Sequence, residues 1–285
     1  MKYQIVTPQT CLRPFIQYCW TLETNRMNSG VLELITTADN SSGIMSQCAQ
    51  LKGEGLYNGK GKALPGCFLY GQQTGPGRYF VQAHISMAGV VFQPQGIHKL
   101  FRFPAFKATN KIIAFKEFCS ESYKFKLNKQ LPALDRLTLL ETFLISKIPD
   151  NPSEDQYFTG VLKQIQIQPE LFSVSELTDL LGISTRQLER KFNQTIGVSP
   201  GYYLRVMRFK KAMELIKSGE FNKFSDIAYS LYYTDQSHFI KEVRYFSGLN
   251  PKKLMGFKSK YLNKLGLPIS MAKLADFKIT DNFMC

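Results

Sequence analysis

Thr185 to Phe192 reads TRQLERKF, and Gln236 to Phe246 reads QSHFIKEVRYF. Each follows a short apolar run and a turn, SELTDLLGIS (Ser175 to Ser184) before the first and SDIAYSLYYTD (Ser225 to Asp235) before the second. In the first unit Ser173 or Ser175 is placed to cap a helix whose apolar positions Val174, Leu177, Leu180 and Leu181 repeat at helical spacing. Gly182 supplies the positive φ that a sharp turn needs. Ser184 then caps a second helix, with Leu188 and Phe192 on one face and Arg186, Gln187, Glu189 and Arg190 on the others. The second unit repeats the logic. Ile227, Ala228 and Leu231 face inward, Thr234 or Asp235 caps, Phe239 and Val243 anchor, and Gln236, Ser237, His238 and Lys241 make the outer face. Two helices joined by a short turn, the second rich in hydrogen-bonding side chains, is the layout of a helix-turn-helix that reads DNA. Both units close alike, Gly197-Val198-Ser199-Pro200 against Gly248-Leu249-Asn250-Pro251.

Between the units, Pro200 to Lys217 carries an apolar stripe of Tyr203, Leu204, Met207, Ala212, Leu215 and Ile216, with Arg205, Arg208, Lys210 and Lys211 on the remaining faces. A helix of that length spans about 27 Å. One turn of B-DNA is about 34 Å, so a rigid spacer of this size suits two readers entering successive major-groove segments. The bland alternative is a helical bundle with a charged surface. The repeat, the spacer and the basic outer faces together argue against it.

With those residues in view, Phe172 to Gly256 resembles the DNA-binding domain of the AraC/XylS family of bacterial transcription regulators. The resemblance rests on Leu188, Phe192, Gly197-Val198-Ser199-Pro200, Tyr203-Leu204, Arg208, Ala212, Ile227-Ala228, Asp235-Gln236-Ser237-His238-Phe239 and Pro251. It departs from that family in two places. Tyr232 stands where the family usually has the turn glycine, and Val243 replaces an aromatic. A bulky residue at positive φ is costly, so the expectation is a second turn rebuilt around Tyr232.

The chemistry of the outer faces assigns roles. Arg186 and Arg190 suit guanine O6 and N7, Gln236 suits adenine, and Lys241 a base or a phosphate. Thr185, Gln187, Ser237 and His238 are secondary base or phosphate contacts. Glu189 accepts from cytosine N4 or orients Arg186. Ser184, Thr234 and the helix N-termini hold phosphates, and Arg208 and Lys210 on the spacer complete the set. The expected partner is double-stranded operator DNA, with RNA polymerase, a small-molecule effector of unknown identity and a second copy of the chain as further candidates. The expected location is the bacterial cytoplasm, on the nucleoid.

Composition agrees. The 285 residues give room for two cored domains, and 44% hydrophobic with 20% charged residues is ordinary for a globular chain. The net charge of +14 is not, and it calls for a polyanion. No run approaches the length of a membrane span, and the N-terminus lacks a signal peptide's apolar core. The cysteines Cys11, Cys19, Cys48, Cys67, Cys119 and Cys285 are scattered without a C-x-x-C pair, which suits reduced thiols.

From Lys2 to about Phe106 short β-rich runs alternate with Gly and Pro, which predicts a β-sandwich or barrel. This half resembles the cupin-like domain that precedes such DNA-binding domains in one uncharacterised AraC branch. The residues that carry it are Pro14 to Trp20, Gly89 to Pro94, and Gly96 to Phe101. The only histidines here, His84 and His98, form no metal-binding pattern, and neither a metal nor a cofactor is expected. Trp20, the sole tryptophan, reads as core. Cys67 lacks the neighbours that would make its thiolate reactive.

The fold class expected is multidomain α+β. Residues 1–114 form a cupin-like β-sandwich or barrel, 115–154 a helical linker that pairs subunits or packs on its neighbour, and 155–256 the all-α domain with two helix-turn-helix motifs. Residues 257–285 form a tail whose Leu262, Leu265, Leu267, Ile269 and Met271 are apolar enough to dock. No phosphate loop, zinc-protease, nucleophile-elbow or calcium-loop pattern occurs. The function expected is a sequence-specific transcription regulator and not an enzyme. The competing reading is a β-barrel small-molecule enzyme with a DNA-binding appendage.

Overall fold

The computed structural model describes residues 2–23, 31–49, 55–82, 85–119, 131–150 and 155–256. The expectations for His84, Cys285 and the tail 257–285 lie outside the described residues. The N-terminal domain contains β1 (Lys2–Val6), β2 (Ile16–Glu23), β3 (Val31–Thr36), β4 (Gly43–Ala49), β5 (Gly55–Asn58), β6 (Cys67–Tyr70), β7 (Gly77–Gln82), β8 (Ile85–Phe92) and β9 (Ile112–Ala114). They pair antiparallel in two open sheets, β1-β2-β8-β4-β6-β9 and β3-β7-β5. The domain is therefore an open two-sheet sandwich, and the closed-barrel alternative does not apply.

Period-two alternation builds this arrangement. Along β8, Ile85, Met87 and Val91 face the smaller sheet, where Trp20, Leu22, Leu56 and Phe68 join them. Ala88, Val90 and Phe92 face the other way, into a second core with Cys19, Ile44 and Leu69. A strand buried on both faces reads as a continuous apolar run, which is what ISMAGVVF shows. Helices α1 (Gly96–Phe101), α2 (Phe115–Phe118) and α3 (Ala133–Ile145) cover that second face. Leu137, Leu140 and Leu144 of α3 are buried there with Phe115. These three leucines of the segment expected as a linker thus pack on their own sheet and are not a free surface for pairing subunits, whereas Leu134 faces out at 51% exposure.

The C-terminal domain runs through α4 (Gln156–Ile167), α5 (Val174–Leu181), α6 (Thr185–Thr195), α7 (Pro200–Ser218), α8 (Phe224–Ser230), α9 (Gln236–Ser247) and α10 (Pro251–Gly256). Its core gathers Phe158, Leu177, Leu188, Phe192, Tyr203, Ile227, Phe239 and Phe246. The 19 residues of α7 reach about 28 Å. Beyond the expected stripe, Val206, Phe209 and Met213 are buried too. A helix buried nearly all round is enclosed by neighbours, and here the N-terminal domain supplies one of them: Ala38 lies in the same core.

Candidate nucleic-acid interface

Each reader begins with a cap. Ser173, of the two serines considered, caps α5 by accepting from Glu176 N at 3.2 Å, and Glu176 accepts in return from Ser173 N. Ser184 caps α6 the same way, accepting from Gln187 N at 3.3 Å while Gln187 Oε1 accepts from Ser184 N at 2.9 Å. Such reciprocal capping satisfies two orphan donors at once. It also engages the side chains of Ser184 and Gln187 within the protein. In the second reader Asp235, rather than Thr234, caps α9 through His238 N at 2.7 Å.

The two turns have one geometry. Gly182 sits at φ 63°, and the next residue, Ile183, donates to Thr178 O at 3.2 Å. Tyr232 sits at φ 55°, and Tyr233 donates to Ala228 O at 2.9 Å. The expected rebuilding around Tyr232 does not occur; the left-handed turn is kept with a tyrosine in it. The phenol ring stands 67% exposed, so nothing is displaced by its bulk.

Below the turns the anchors are buried completely: Leu188 and Phe192 in the first reader, Phe239, Val243 and Phe246 in the second. Phe192 packs edge-on to Phe158 at 5.4 Å and to Tyr203 at 5.6 Å. Phe239 packs against Tyr233 at 5.5 Å and Phe224 at 6.1 Å. Of the first reader's helix-spacing positions only Leu177 is fully buried, and Leu180 is 42% exposed, its carbonyl accepting from the Tyr157 hydroxyl.

Above the turns Ser184, Thr185, Arg186, Gln187, Glu189 and Arg190 are exposed, as are Thr234, Gln236, Ser237, His238 and Lys241. Both readers therefore show solvent the polar faces that the sequence assigns them. The spacer's basic residues behave differently. Arg205 forms a forked pair with Glu242, Nε to Oε1 at 3.1 Å and to Oε2 at 3.3 Å, tying α7 to α9. Arg208 is half-buried, with its Nε enclosed. Lys210 donates to Asp39 O at 3.5 Å, so its ammonium lies against the N-terminal domain and not among the readers' exposed groups. Lys191 reaches the Asp155 carboxylate at the start of α4 and lies over the Phe158 ring, locking α6 to α4.

Sequence reading missed the contacts that hold the N-terminal domain to the reader ends, because a docking surface leaves little mark in a one-dimensional pattern. The repeated glycines at 197 and 248 were the available signal. It also passed over Tyr229, 67% exposed beside the second turn. Among the thiols, burial pushes Cys67 up to about 12 even though Arg136 and the Phe68 amide oppose it, so it is a protonated thiol at neutral pH. No helix among the described residues is long and apolar enough to cross a membrane.

The profile of a helix-turn-helix domain matches residues 177–256, and that of a domain of unknown function (DUF6597) matches residues 4–114. The C-terminal part is an AraC-type DNA-binding domain. The chain is a DNA-binding transcription regulator. Similar solved structures include ToxT from Vibrio cholerae, 11% identical over 91% of this chain and 100% of that one, at a TM-score of 0.44. An AraC-type regulator from Chromobacterium violaceum is 21% identical over 39% of this chain and 99% of its own, at 0.35. The C-terminal domain of AraT from Geobacillus stearothermophilus is 25% identical over 35% and 84%, at 0.32. No curated protein matches the chain.

Proposed function

We propose that this regulator reads one operator with both helices, α6 and α9, set in successive major-groove segments on one side of the duplex. The observation that carries this reading is that two separately capped readers, each with buried aromatic anchors and an exposed polar face, flank one 19-residue helix. Arg186 and Arg190 take guanine edges and Gln236 takes adenine. Lys241 takes a base or a phosphate, and Glu189 accepts from cytosine or steadies Arg186. Thr185, Ser237, His238 and Thr234 are secondary or phosphate contacts. Ser184 and Gln187 act through the cap, exposing the amino end of α6 to a phosphate. Arg208 contributes charge from the spacer, whereas Lys210 is withdrawn from the interface by its contact with Asp39.

As a regulator it acts at promoters, with RNA polymerase as the machinery affected, and a second copy of the chain on a neighbouring site is part of the reading. The buried leucine face of α3 is not the pairing surface. The enzyme alternative has no supporting observation, while the matched DNA-binding domain supports regulation.

The test is equilibrium binding of the full chain to a duplex selected from random sequence and to its scrambled version, across a salt series. The reading expects the selected duplex to bind at least about 10³-fold tighter, with log affinity falling steeply and linearly with log salt as counterions are released. Equal affinity for the two duplexes would reduce the protein to a non-specific polyanion binder.

A further inference from the structure

Helix α3 carries a cation into the core beneath it. Arg136 is only 1% exposed and lies against the face of the larger sheet that α3 covers. Its Nη1 donates to Ser46 Oγ on β4 at 3.2 Å, and its Nη2 donates to Ser86 Oγ on β8 at 2.7 Å. Its Nε is buried with no acceptor. Both partners are neutral hydroxyls, and among the described residues no carboxylate lies within ion-pair distance of the guanidinium. A buried cation is tolerated beside an anion and costly beside neutral groups alone.

Strand register shows which group can supply that anion. Side chains two residues apart on a strand share a face, so Cys48 follows Ser46 on the α3 side of β4. The β4–β8 pairing sets the same Cys48 directly opposite Ser86. Cys48 is thus the neighbour common to both hydroxyls that hold Arg136. On one flank β6 sets Cys67 opposite Ser46, and burial keeps that thiol protonated. On the other flank β2 sets Glu23 opposite Ser86, with its carboxylate beyond ion-pair reach. Burial lowers the pKa of Arg136, while the charges of Cys48, Glu23 and Cys67, in that order, act to raise it.

We propose that Cys48 is a site of oxidation by hydroperoxides, with Arg136 as the cation that holds its anionic product. The thiolate sulfur attacks one oxygen of hydrogen peroxide. An S–O bond forms as the O–O bond breaks, and sulfur gives up an electron pair to the peroxide. The proton of the transferred hydroxyl passes to the departing hydroxide, which leaves as water, and a sulfenate remains. Negative charge moves from sulfur toward oxygen beside the guanidinium, which stabilises it along the way. The sulfenate oxygen then offers Arg136 the acceptor its Nε lacks and the charge that Ser46 and Ser86 do not carry. The product is not a disulfide. Cys67 lies diagonal to Cys48 across β4 and β6, where Cα atoms stand about 7–8 Å apart. A bridge needs a Cα separation below about 7 Å.

This proposal does not depend on the two-reader function. The test treats the full chain with hydrogen peroxide in the presence of dimedone, which traps sulfenates, and follows each cysteine peptide by mass spectrometry. Exposure alone favours Cys11, which is exposed where Cys48 is half-buried. The proposal expects Cys48 to be labelled first, about tenfold or more ahead of Cys11 and Cys67. Arg136→Lys keeps a cation and should hold the rate within about threefold, whereas Arg136→Met should bring Cys48 down to the rate of Cys11 or below. A second measurement needs no oxidant and leaves Arg136 in place. Cys48→Asp fixes an anion at the site and should melt about 2–4 °C above Cys48→Asn, its neutral counterpart. Labelling led by Cys11 or Cys67, a Cys48–Cys67 disulfide in the peptide map, an unchanged rate in folded Arg136→Met, or a Cys48→Asp protein that melts no higher than Cys48→Asn would overturn the proposal.

Discussion

The two readers solve one geometric problem with different residues. In the first, Gly182 holds the turn at φ 63°, a conformation glycine adopts without steric cost. In the second, Tyr232 holds nearly the same angle, where an L-residue with a Cβ costs about 1–2 kcal/mol. The second turn survives because its surroundings fix it: Ile227, Ala228 and Leu231 are buried before it, and Tyr233 and Phe239 after it. The first reader is tied to α4 through Lys191 and Asp155, the second to α7 through Glu242 and Arg205. Turn geometry here is set by packing on both sides, and the identity of the turn residue only tunes its stability.

That comparison breaks most readily at the anchors. Phe192→Ala and Phe239→Ala remove fully buried rings from equivalent helices, and each should cost about 3–5 kcal/mol, visible as a drop in the denaturation midpoint. A protein that loses far less at Phe239 would show the second reader to be loosely packed and the equivalence of the two to be only formal. Next come the base contacts. Arg190→Ala and Gln236→Ala should each lose about 1–3 kcal/mol of discrimination at base positions in their own half of the site, leaving the other half unchanged. Loss of affinity without loss of preference would mark the residue as a phosphate contact.

The turns themselves give a smaller effect of opposite sign. Gly182→Ala should destabilise by roughly 1 kcal/mol and Tyr232→Gly should stabilise by about as much, less what the extra freedom of glycine in the unfolded chain takes back. Thermal melts would read both, and a destabilised Tyr232→Gly would mean that the exposed ring itself packs. The smallest effect is at Asp155. Burial pushes its carboxyl upward, but the hydrogen bonds from Lys191 and Phe158 N and the charges of Lys191 and Lys99 outweigh that and hold it below its ordinary value. Its stabilisation is therefore present above the unfolded carboxyl's pKa, about 3.9, and is lost as pH falls through the depressed folded value. Asp155→Asn keeps a good cap and removes the charge, so it should cost only a few tenths of a kcal/mol at neutral pH, and less below about pH 4. Urea titrations at the two pH values would show the difference.

Much of this was legible beforehand because it is local. Capping serines, the DQSHF run and apolar spacing at three and four specify α5, α6, α8 and α9 within a few residues of one another. The continuous apolar run in ISMAGVVF likewise marked a strand. The closure of the β-domain was not legible, since an open sandwich and a barrel share the same period-two strands and differ only in long-range pairing. The spacer's extra buried residues, Val206, Phe209 and Met213, depend on how the other helices close over α7, as Phe246 does over Phe209, and the inward turn of Lys210 depends on a domain more than a hundred residues upstream. Tyr232 shows the converse failure: residue preference argued against a turn that tertiary packing imposes.

The central claim is that both readers specify sequence from one face of the duplex. Selection of the full chain over a randomised duplex, repeated with Arg190→Ala and Gln236→Ala, tests it most directly. The account predicts two blocks of base preference with centres about one helical turn, roughly 10 base pairs, apart, one erased by each substitution. A single block, or two blocks both untouched by Gln236→Ala, would contradict it.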